Sequence, residues 1–299
     1  MNAVVYDAER AALGVSVWNQ FTGGTQFVYF KSVSNQWQPT TSIQLENSYG
    51  IALSPDGKKW IATQNNGIVE IDANSLALDA PIASPDTRQL AEMSVSNDGK
   101  IAVFVDYYFN CGAHLWLYDF GRKLFSDTSY SACRGDVGAS ADGSKILIAS
   151  MFDNLSNDNI VSLDTITGTT TKTGIQIPTD APIVLDRSGS RIVLDKANVY
   201  DGSYNYLGKL PSTTLAVVLA PDGGRAYTYD QNGMMRTYDL LSSTVAEVFP
   251  EVGTGTVLAA NPGFAQGLYV DAGVQMVITP DGKTVFIAGS NAVVVQPTQ

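Results

Sequence analysis

A short turn phrase returns along almost the whole chain, and its regular return limits the folds that the chain can adopt. Six copies are clear: SPDGK at 54–58, SNDGK at 96–100, SADGS at 140–144, DRSGS at 186–190, APDGG at 220–224 and TPDGK at 279–283. A degenerate first copy, YDAER at 6–10, has Arg10 at the lysine position. Seven copies in 299 residues approach the roughly 40–45 residues of a four-stranded propeller blade.

Each copy has the composition of a hairpin between two short strands. Proline presets φ, aspartate accepts hydrogen bonds from the turn, and glycine adopts positive φ without a steric penalty. Strands rich in apolar and β-branched residues flank the turn, and a third strand follows. The sequence therefore predicts an all-β protein, a seven-bladed β-propeller of four-stranded antiparallel blades, with residues 1–299 as one domain.

Five of the third strands end in aspartate. A carboxylate after an apolar strand is well placed to accept N–H groups of the following turn. We therefore expect these residues to be structural caps rather than catalytic groups; they are Asp72, Asp119, Asp164, Asp201 and Asp239.

Closure of the ring is less well defined. The last copy ends after its third strand, AVVVQP at 292–297, and no later segment supplies a fourth strand. The last blade has three strands, or part of 250–272 completes it, or flanking sequence does so. Of these alternatives we favour a domain excised from, or joined to, a larger protein.

Two phrases, SPDGKKWIATQNNGIVEID at 54–72 and TPDGKTVFIAGSNAVVV at 279–295, resemble the YVTN-type repeat, a relative of the WD repeat. The opening VVYDAERAALGVSVWN at 4–19 is similar to a variant of that repeat common in large bacterial surface proteins. The resemblance covers nearly the whole chain and implies a propeller of a bacterial surface or envelope protein. It implies almost nothing about activity, because propellers host many unrelated functions.

Charge and hydropathy exclude several classes of partner. Eighteen basic residues against 29 acidic ones leave a net charge of −11, which disfavours binding to nucleic acid or to anionic lipid. No apolar run is long enough to span a bilayer, so we expect no membrane insertion. The start lacks the features of a signal peptide. The composition nevertheless favours an extracytoplasmic protein, periplasmic, secreted or at the cell surface, whose leader is absent from this chain.

Antiparallel strand order places the connections from the second to the third strand, and from each blade to the next, on one face of the propeller. We expect ligand-binding residues on that face, at the entries to the inner strands, namely Tyr49, Glu92, Arg134, Asp136, Asp180, Thr214, Asp271 and Gln275. An outer ring of connections carries Asn19, Asn65, Asp106, Tyr107, Asp153, Asp158, Lys196, Asp230 and Asn291.

The carboxylates of this face leave three chemical interpretations open. They could bind Ca²⁺ through oxygen ligands, they could act as general acid and base if burial raised one pKa, or they could be solvated or paired locally. No cofactor is expected, and His114 is the only histidine. We favour a monomeric, non-enzymatic binding or scaffold propeller that recognises a protein or a glycan. The alternative is a lactonase-like hydrolase that uses funnel carboxylates, with or without a divalent cation.

The chain has two cysteines, Cys111 and Cys133. Both are expected in connections on the same face, at a separation that a disulfide can span. We predict that they form a disulfide, which would indicate an oxidising compartment. Two free, buried thiols are the alternative.

Overall fold

The computed structural model describes most of the chain. The described residues are 3–19, 24–34, 36–46, 48, 50–85, 90–96, 101–106, 113–132, 135–150, 159–176, 182–241, 248–256, 268–269, 274–289 and 293–298. Within these ranges the secondary structure consists of strands and turns, with no helix.

The first three sheets are antiparallel, and in each the strands follow chain order from the inside of the propeller outward. Blade 1 contains β1 (Val4–Asp7), β2 (Ala12–Asn19), β3 (Gly24–Val33) and β4 (Gln36–Leu45). Blade 2 contains β5 (Ile51–Leu53), β6 (Lys59–Gln64), β7 (Gly67–Asp72) and β8 (Ile82–Ala83). Blade 3 contains β9 (Leu90–Val95), β10 (Ile101–Asp106), β11 (Ala113–Asp119) and β12 (Leu124–Ala132).

Three further blades repeat this order. Blade 4 contains β13 (Gly135–Ala139), β14 (Ile146–Ser150), β15 (Asn159–Asp164) and β16 (Thr169–Gln176). Blade 5 contains β17 (Ile183–Leu185), β18 (Arg191–Leu194), β19 (Asn198–Asp201) and β20 (Tyr206–Lys209). Blade 6 contains β21 (Thr214–Leu219), β22 (Arg225–Asp230), β23 (Met234–Asp239) and β24 (Glu251–Thr256).

The last sheet has three strands, β26 (Gln275–Ile278), β27 (Thr284–Ala288) and β28 (Val293–Pro297). The two-residue strand β25 (Leu268–Tyr269) joins blade 1, where it pairs with the end of β2 beyond β1. The prediction of an all-β propeller with four-stranded antiparallel blades is confirmed. The predicted count of seven such blades is not reached, because six blades have four strands and the last sheet has three among the described residues.

The inner strands contact one another in a closed cycle, in the order β1, β5, β9, β13, β17, β21, β26 and again β1. One hydrogen bond across the point of closure runs from the N–H of Val4 to the side-chain Oε1 of Gln275, at 3.1 Å. The six blades and the last sheet therefore surround one axis.

Seven apolar clusters lie between neighbouring sheets, and alternation along the strands creates them. In β3, Phe27 and Tyr29 pack towards blade 2, whereas Val28 and Phe30 pack towards the last sheet. This period of two is what a strand buried on both faces requires. Trp60 fills the space between blades 1 and 2 and is fully buried.

Candidate functional site

The two faces of the propeller differ in the lengths of their connections. The face formed by the hairpins after the first and third strands is called the turn face, and the opposite one the connection face. Connections from the first to the second strand contain 4 to 6 residues in every sheet. On the connection face, those from the second to the third strand contain 2 to 8 residues, and those between consecutive sheets contain 2 to 18. One face is thus nearly uniform and the other variable.

The repeated phrase builds the turn face through a side-chain bond inside each hairpin. The hydroxyl of Ser54 donates to Asp56 Oδ1 at 2.7 Å and accepts the N–H of Lys59 at 2.9 Å. Ser140 and Asp142, and Thr279 and Asp281, form the same hydroxyl–carboxylate bond at 2.7 and 2.6 Å. Because turn N–H groups also donate to these carboxylates, the hairpin is held without help from the rest of the blade.

The turn glycines are also positions of close contact between blades. Gly189 has a φ of +70°, and a Cβ there would lie 2.9 Å from the Cδ of Lys145 in the preceding blade. At Gly57, with a φ of +67°, the carboxylate of Glu9 in blade 1 would lie 2.6 Å away. Both the left-handed backbone and the neighbouring blade therefore require glycine. The motif serves the contact between blades as well as the turn.

The five aspartates at the ends of third strands are turn caps, as predicted. Asp72 Oδ1 accepts the N–H groups of Asn74 and Ser75 at 3.1 and 2.9 Å. The other four accept turn N–H groups in the same way, over 2.8 to 3.2 Å; they are Asp119, Asp164, Asp201 and Asp239. These carboxylates stabilise turns, and their chemistry on this face is structural.

Turn hydrogen bonds make the stability of the protein depend on pH. The Ser54 hydroxyl holds the pKa of Asp56 below its ordinary value, and that of Thr279 does so for Asp281. A carboxyl with a folded pKa below its unfolded one stabilises the protein above the unfolded value, about 3.9, and loses that contribution as pH falls below it. We expect the melting temperature to fall below about pH 4. The D56N/D281N double variant should show a shallower fall in thermal scans between pH 6 and 2.5, whereas Asp195→Asn, which changes an exposed carboxylate, should not.

Two cations join neighbouring blades across the turn face. The guanidinium of Arg10, in blade 1, donates to the carbonyl of Gly57 and the side chain of Asn74 in blade 2, both at 2.8 Å. Lys145 Nζ, in blade 4, donates to the carbonyls of Gly189 and Gly202 in blade 5, at 3.1 and 2.6 Å. Each cation reaches the turn glycine of the next blade.

Arg10 has a second role that corrects the alignment of the first repeat. Asp7, rather than Tyr6, occupies the position of Ser54, because both precede their second strands by five residues. Asp7 is fully buried, and its carboxylate accepts the N–H of Arg10 and, at 3.1 Å, its guanidinium. Arg10 therefore neutralises a buried carboxylate and links two blades.

Blades 2 and 3 are joined by a buried carboxylate. The Glu70 side chain, 3% exposed, accepts the hydroxyl of Tyr118 at 2.9 Å and forms an ion pair with Lys123 at 3.1 Å. Burial, followed by the bond to Glu70, raises the pKa of Tyr118, so the phenol keeps its proton as a donor. Every oxygen of this group has a structural partner.

On the connection face, the structure locates three of the predicted ligand-binding residues. Tyr49, Arg134, Asp180 and Asp271 lie outside the described residues. The backbone of Glu92 lies in β9. Asp136, Glu92 and Gln275 each lie seven residues before the turn glycine of their sheet, Gly143, Gly99 and Gly282. They are therefore equivalent positions at the entries of different inner strands.

Asp136 and Gln275 both bond to the following inner strand. Asp136 Oδ2 accepts the N–H of Ile183, the first residue of β17, at 3.1 Å. Its other oxygen accepts the N–H of Val137 at 2.8 Å. Gln275 accepts the N–H of Val4, the first residue of β1. Both side chains therefore stabilise contacts between inner strands, and any ligand would have to share them.

Removing the Asp136 carboxylate should destabilise the protein before any ligand is added. Asp136→Ala leaves the N–H of Ile183 without its acceptor, so we expect a loss of about 1–3 kcal/mol in the free energy of unfolding. Urea unfolding followed by tryptophan fluorescence measures it. Asp136→Asn keeps an acceptor oxygen and is the matched control. Equal stability of the alanine variant and the wild type would contradict this role.

The outer ring of predicted residues is only partly described. Asp230 Oδ2 accepts the Arg236 guanidinium at 2.8 Å, and its Oδ1 accepts the N–H groups of Asn232 and Met234. Asn65 and Lys196 lie in short connections of blades 2 and 5, and Thr214 donates to the carbonyl of Pro211. Asn19 and Asp106 end the strands β2 and β10. The remaining predicted residues lie outside the described part; they are Tyr107, Asp153, Asp158 and Asn291.

The cysteines and the histidine contribute little to a described site. Cys111 and Cys133 lie outside the described residues. His114 Nδ1 lies 3.7 Å from Asp127, and its ring stacks on Trp116 with centroids 5.9 Å apart. Among the described residues, no three His, Cys, Asp or Glu side chains converge as they would around a metal ion. The described part also contains no helix that could cross a bilayer.

Sequence reasoning missed the best-described stretch of the connection face. Blades 5 and 6 present four exposed, uncharged polar residues there, Ser212, Thr213, Gln231 and Asn232. The N–H of Gln231 donates to the carbonyl of Thr213 at 3.3 Å, which joins the two connections. We call these four residues the neutral polar surface. A search for charged residues overlooks it, although clustered Asn, Gln, Ser and Thr in two short connections are a usable signal.

Comparison with known proteins supports the fold. No protein family model matches the sequence, and no curated protein matches it either. Among solved structures, hydrazine synthase of Kuenenia stuttgartiensis is similar, with a TM-score of 0.72 and 16% identity over 99% of this chain and 94% of that chain. At this identity the likeness shows the fold alone. The chain is a β-propeller.

Proposed function

We propose that this protein is a non-enzymatic binding or scaffold propeller whose ligand, a protein or a glycan, binds the connection face. The observation that carries the proposal is the difference between the faces, since turns of 4 to 6 residues oppose connections of 2 to 18. A rigid scaffold with loops of varied length on one side is a common arrangement for binding sites.

The charged groups that are described favour binding over catalysis. Asp136, Asp230 and Glu70 each bond to backbone N–H groups, to a hydroxyl or to a cation of the protein itself. A catalytic carboxylate needs access to substrate and a pKa matched to its task. We pursue the lactonase-like hydrolase no further, because Asp136, the only predicted funnel carboxylate with a described side chain, is bonded to Ile183 and Val137.

The neutral polar surface favours a glycan among the two ligand classes. Its amides and hydroxyls can donate and accept hydrogen bonds with sugar hydroxyls. A net charge of −11 disfavours nucleic acid and anionic membranes as partners. We further propose a monomer without cofactor and without membrane insertion; Ca²⁺ binding near Glu92, Asp136, Asp180 and Asp271 can be tested by calorimetric titration.

We also propose that the last sheet is the seventh blade of a YVTN-type propeller, which forms one domain over residues 1–299. The closed cycle of inner strands supports this interpretation. An exported bacterial surface or envelope protein fits the resemblance of the repeats. A disulfide between Cys111 and Cys133 would agree with export. Mass spectrometry after alkylation without reduction tests it, since labelling of both thiols would contradict the disulfide and the compartment together.

An array of bacterial surface glycans, probed with the labelled protein, tests the proposed function. The Thr213→Arg, Asn232→Arg double variant should lose at least tenfold in affinity for any glycan bound. Thr167→Arg with Ser188→Arg, two exposed positions of the turn face, is the matched control and should bind like the wild type. Equal loss in both variants, or turnover of dihydrocoumarin by the wild type, would contradict the proposal.

A further inference from the structure

The outer edge of β28 is uncovered among the described residues. In each of the six blades a fourth strand pairs with the third, as β4 does with β3 and β24 with β23. The last sheet ends at β28, which pairs with β27 on its inner side. The equivalent strands of the other blades therefore show what this position accepts, namely one antiparallel strand.

The backbone groups that point outward from β28 can be assigned. The N–H of Thr298 donates to the carbonyl of Lys283, at 2.9 Å, so residue 298 faces β27. Successive residues of a strand alternate in direction, so Val293, Val295 and Pro297 face outward. Proline lacks an N–H and is tolerated at such a position. The free edge thus offers the N–H and C=O groups of Val293 and Val295.

The other outer strands carry features that discourage pairing, and β28 does not. Five of them are irregular, with bulges opposite β3, β11, β15, β19 and β23. The sixth, β8, has only two residues. In contrast, β28 pairs with β27 without a register shift over five residues and contains no charge. Bulges, short length and charges are the usual protection of an edge strand.

The position of this edge selects the kind of partner. The blades on either side have four strands, so β28 is recessed between β24 and β4 by about one strand spacing of 4.8 Å. Val294 packs in the cluster towards blade 6, and Val295 in the cluster towards blade 1, which includes Trp37. A single extended strand fits between these blades. A second folded copy, whose own edge is equally recessed, does not reach it.

We propose that β28 binds an extended, uncharged, β-branched segment of a partner polypeptide, which adds to the last sheet as an antiparallel fourth strand. Main-chain bonds to Val293 and Val295 supply affinity in such a mode, and alternate side chains supply specificity. This rim site is separate from the connection face, so it stands or falls independently of the ligand proposed there.

A displayed library of random nonapeptides, selected on the full-length protein, tests the proposal. Val295→Pro removes one outward N–H and leaves the bonds to β27 in place, whereas Val295→Ile keeps the N–H and is the control. Selected peptides should be rich in Val, Ile and Thr and bind Val295→Pro at least tenfold more weakly than Val295→Ile. Hydrogen exchange on the wild type, which depends on no variant, should show the amides of Val293 and Val295 protected only when peptide is present.

Four results would overturn the proposal. They are the absence of enriched peptides, equal binding to both variants, and protection of the two amides without peptide, which would mean that the chain covers its own edge. The fourth is a dimer in sedimentation velocity that Val295→Pro abolishes, which would make the occupant a second copy.

Discussion

Replacing Arg10 with methionine is expected to lower the free energy of unfolding by about 3–5 kcal/mol. The change leaves the fully buried Asp7 carboxylate without its cation, and removing one partner of a buried ion pair has an effect of this size. It also removes the bonds to Gly57 and Asn74 of blade 2. Denaturant unfolding at pH 7 measures the loss.

A second substitution separates the two roles of Arg10. Ser54, Ser96 and Ser140 occupy the position of Asp7 in other copies, so Asp7→Ser is a native-like replacement that removes the buried charge. The D7S/R10M double variant should recover more than half of the stability lost in Arg10→Met. No recovery would show that the contacts to blade 2, and not the neutralisation of Asp7, account for the effect.

Replacing Trp60 with alanine is expected to destabilise the protein by about 3–5 kcal/mol, the usual cost of removing a buried aromatic side chain. Trp60 is fully buried, with its ring centroid 5.3 Å from that of Phe27 and 6.0 Å from that of Tyr29. It also lies against Gly14, where an added Cβ would be 2.5 Å from the indole. The cavity would therefore open between blades 1 and 2.

Trp60→Phe should cost less than Trp60→Ala, because the indole N–H finds no acceptor among the described residues and no hydrogen bond is lost. Leu124→Ala, at a side chain 62% exposed, is the control and should change stability by no more than about 0.5 kcal/mol. Thermal unfolding of the three variants gives the ranking. A Trp60→Ala variant as stable as the control would contradict the packing described between the two blades.

The candidate site shows where inference from sequence stopped. Antiparallel order predicted which residues enter the inner strands, and Asp136 and Gln275 lie at those entries. Their bonds to Ile183 and Val4 were not predictable, because each partner belongs to the next sheet, 47 and 271 residues away. The cation Arg10 was recognised as part of a repeat, but its reach to Asn74 depends on how two blades pack.

The sequence by itself determined the blade and its turn. A local phrase of five residues contains the hydroxyl, the carboxylate and the glycine that close each hairpin, and Asp72 and its equivalents cap turns within a few residues of themselves. Only the tertiary structure decided how blades contact one another, which carboxylates are committed to that contact, and which edge is left uncovered. Local hydrogen bonds follow from neighbours in the chain, whereas burial, ion pairing and strand coverage depend on residues that only the closed ring brings together.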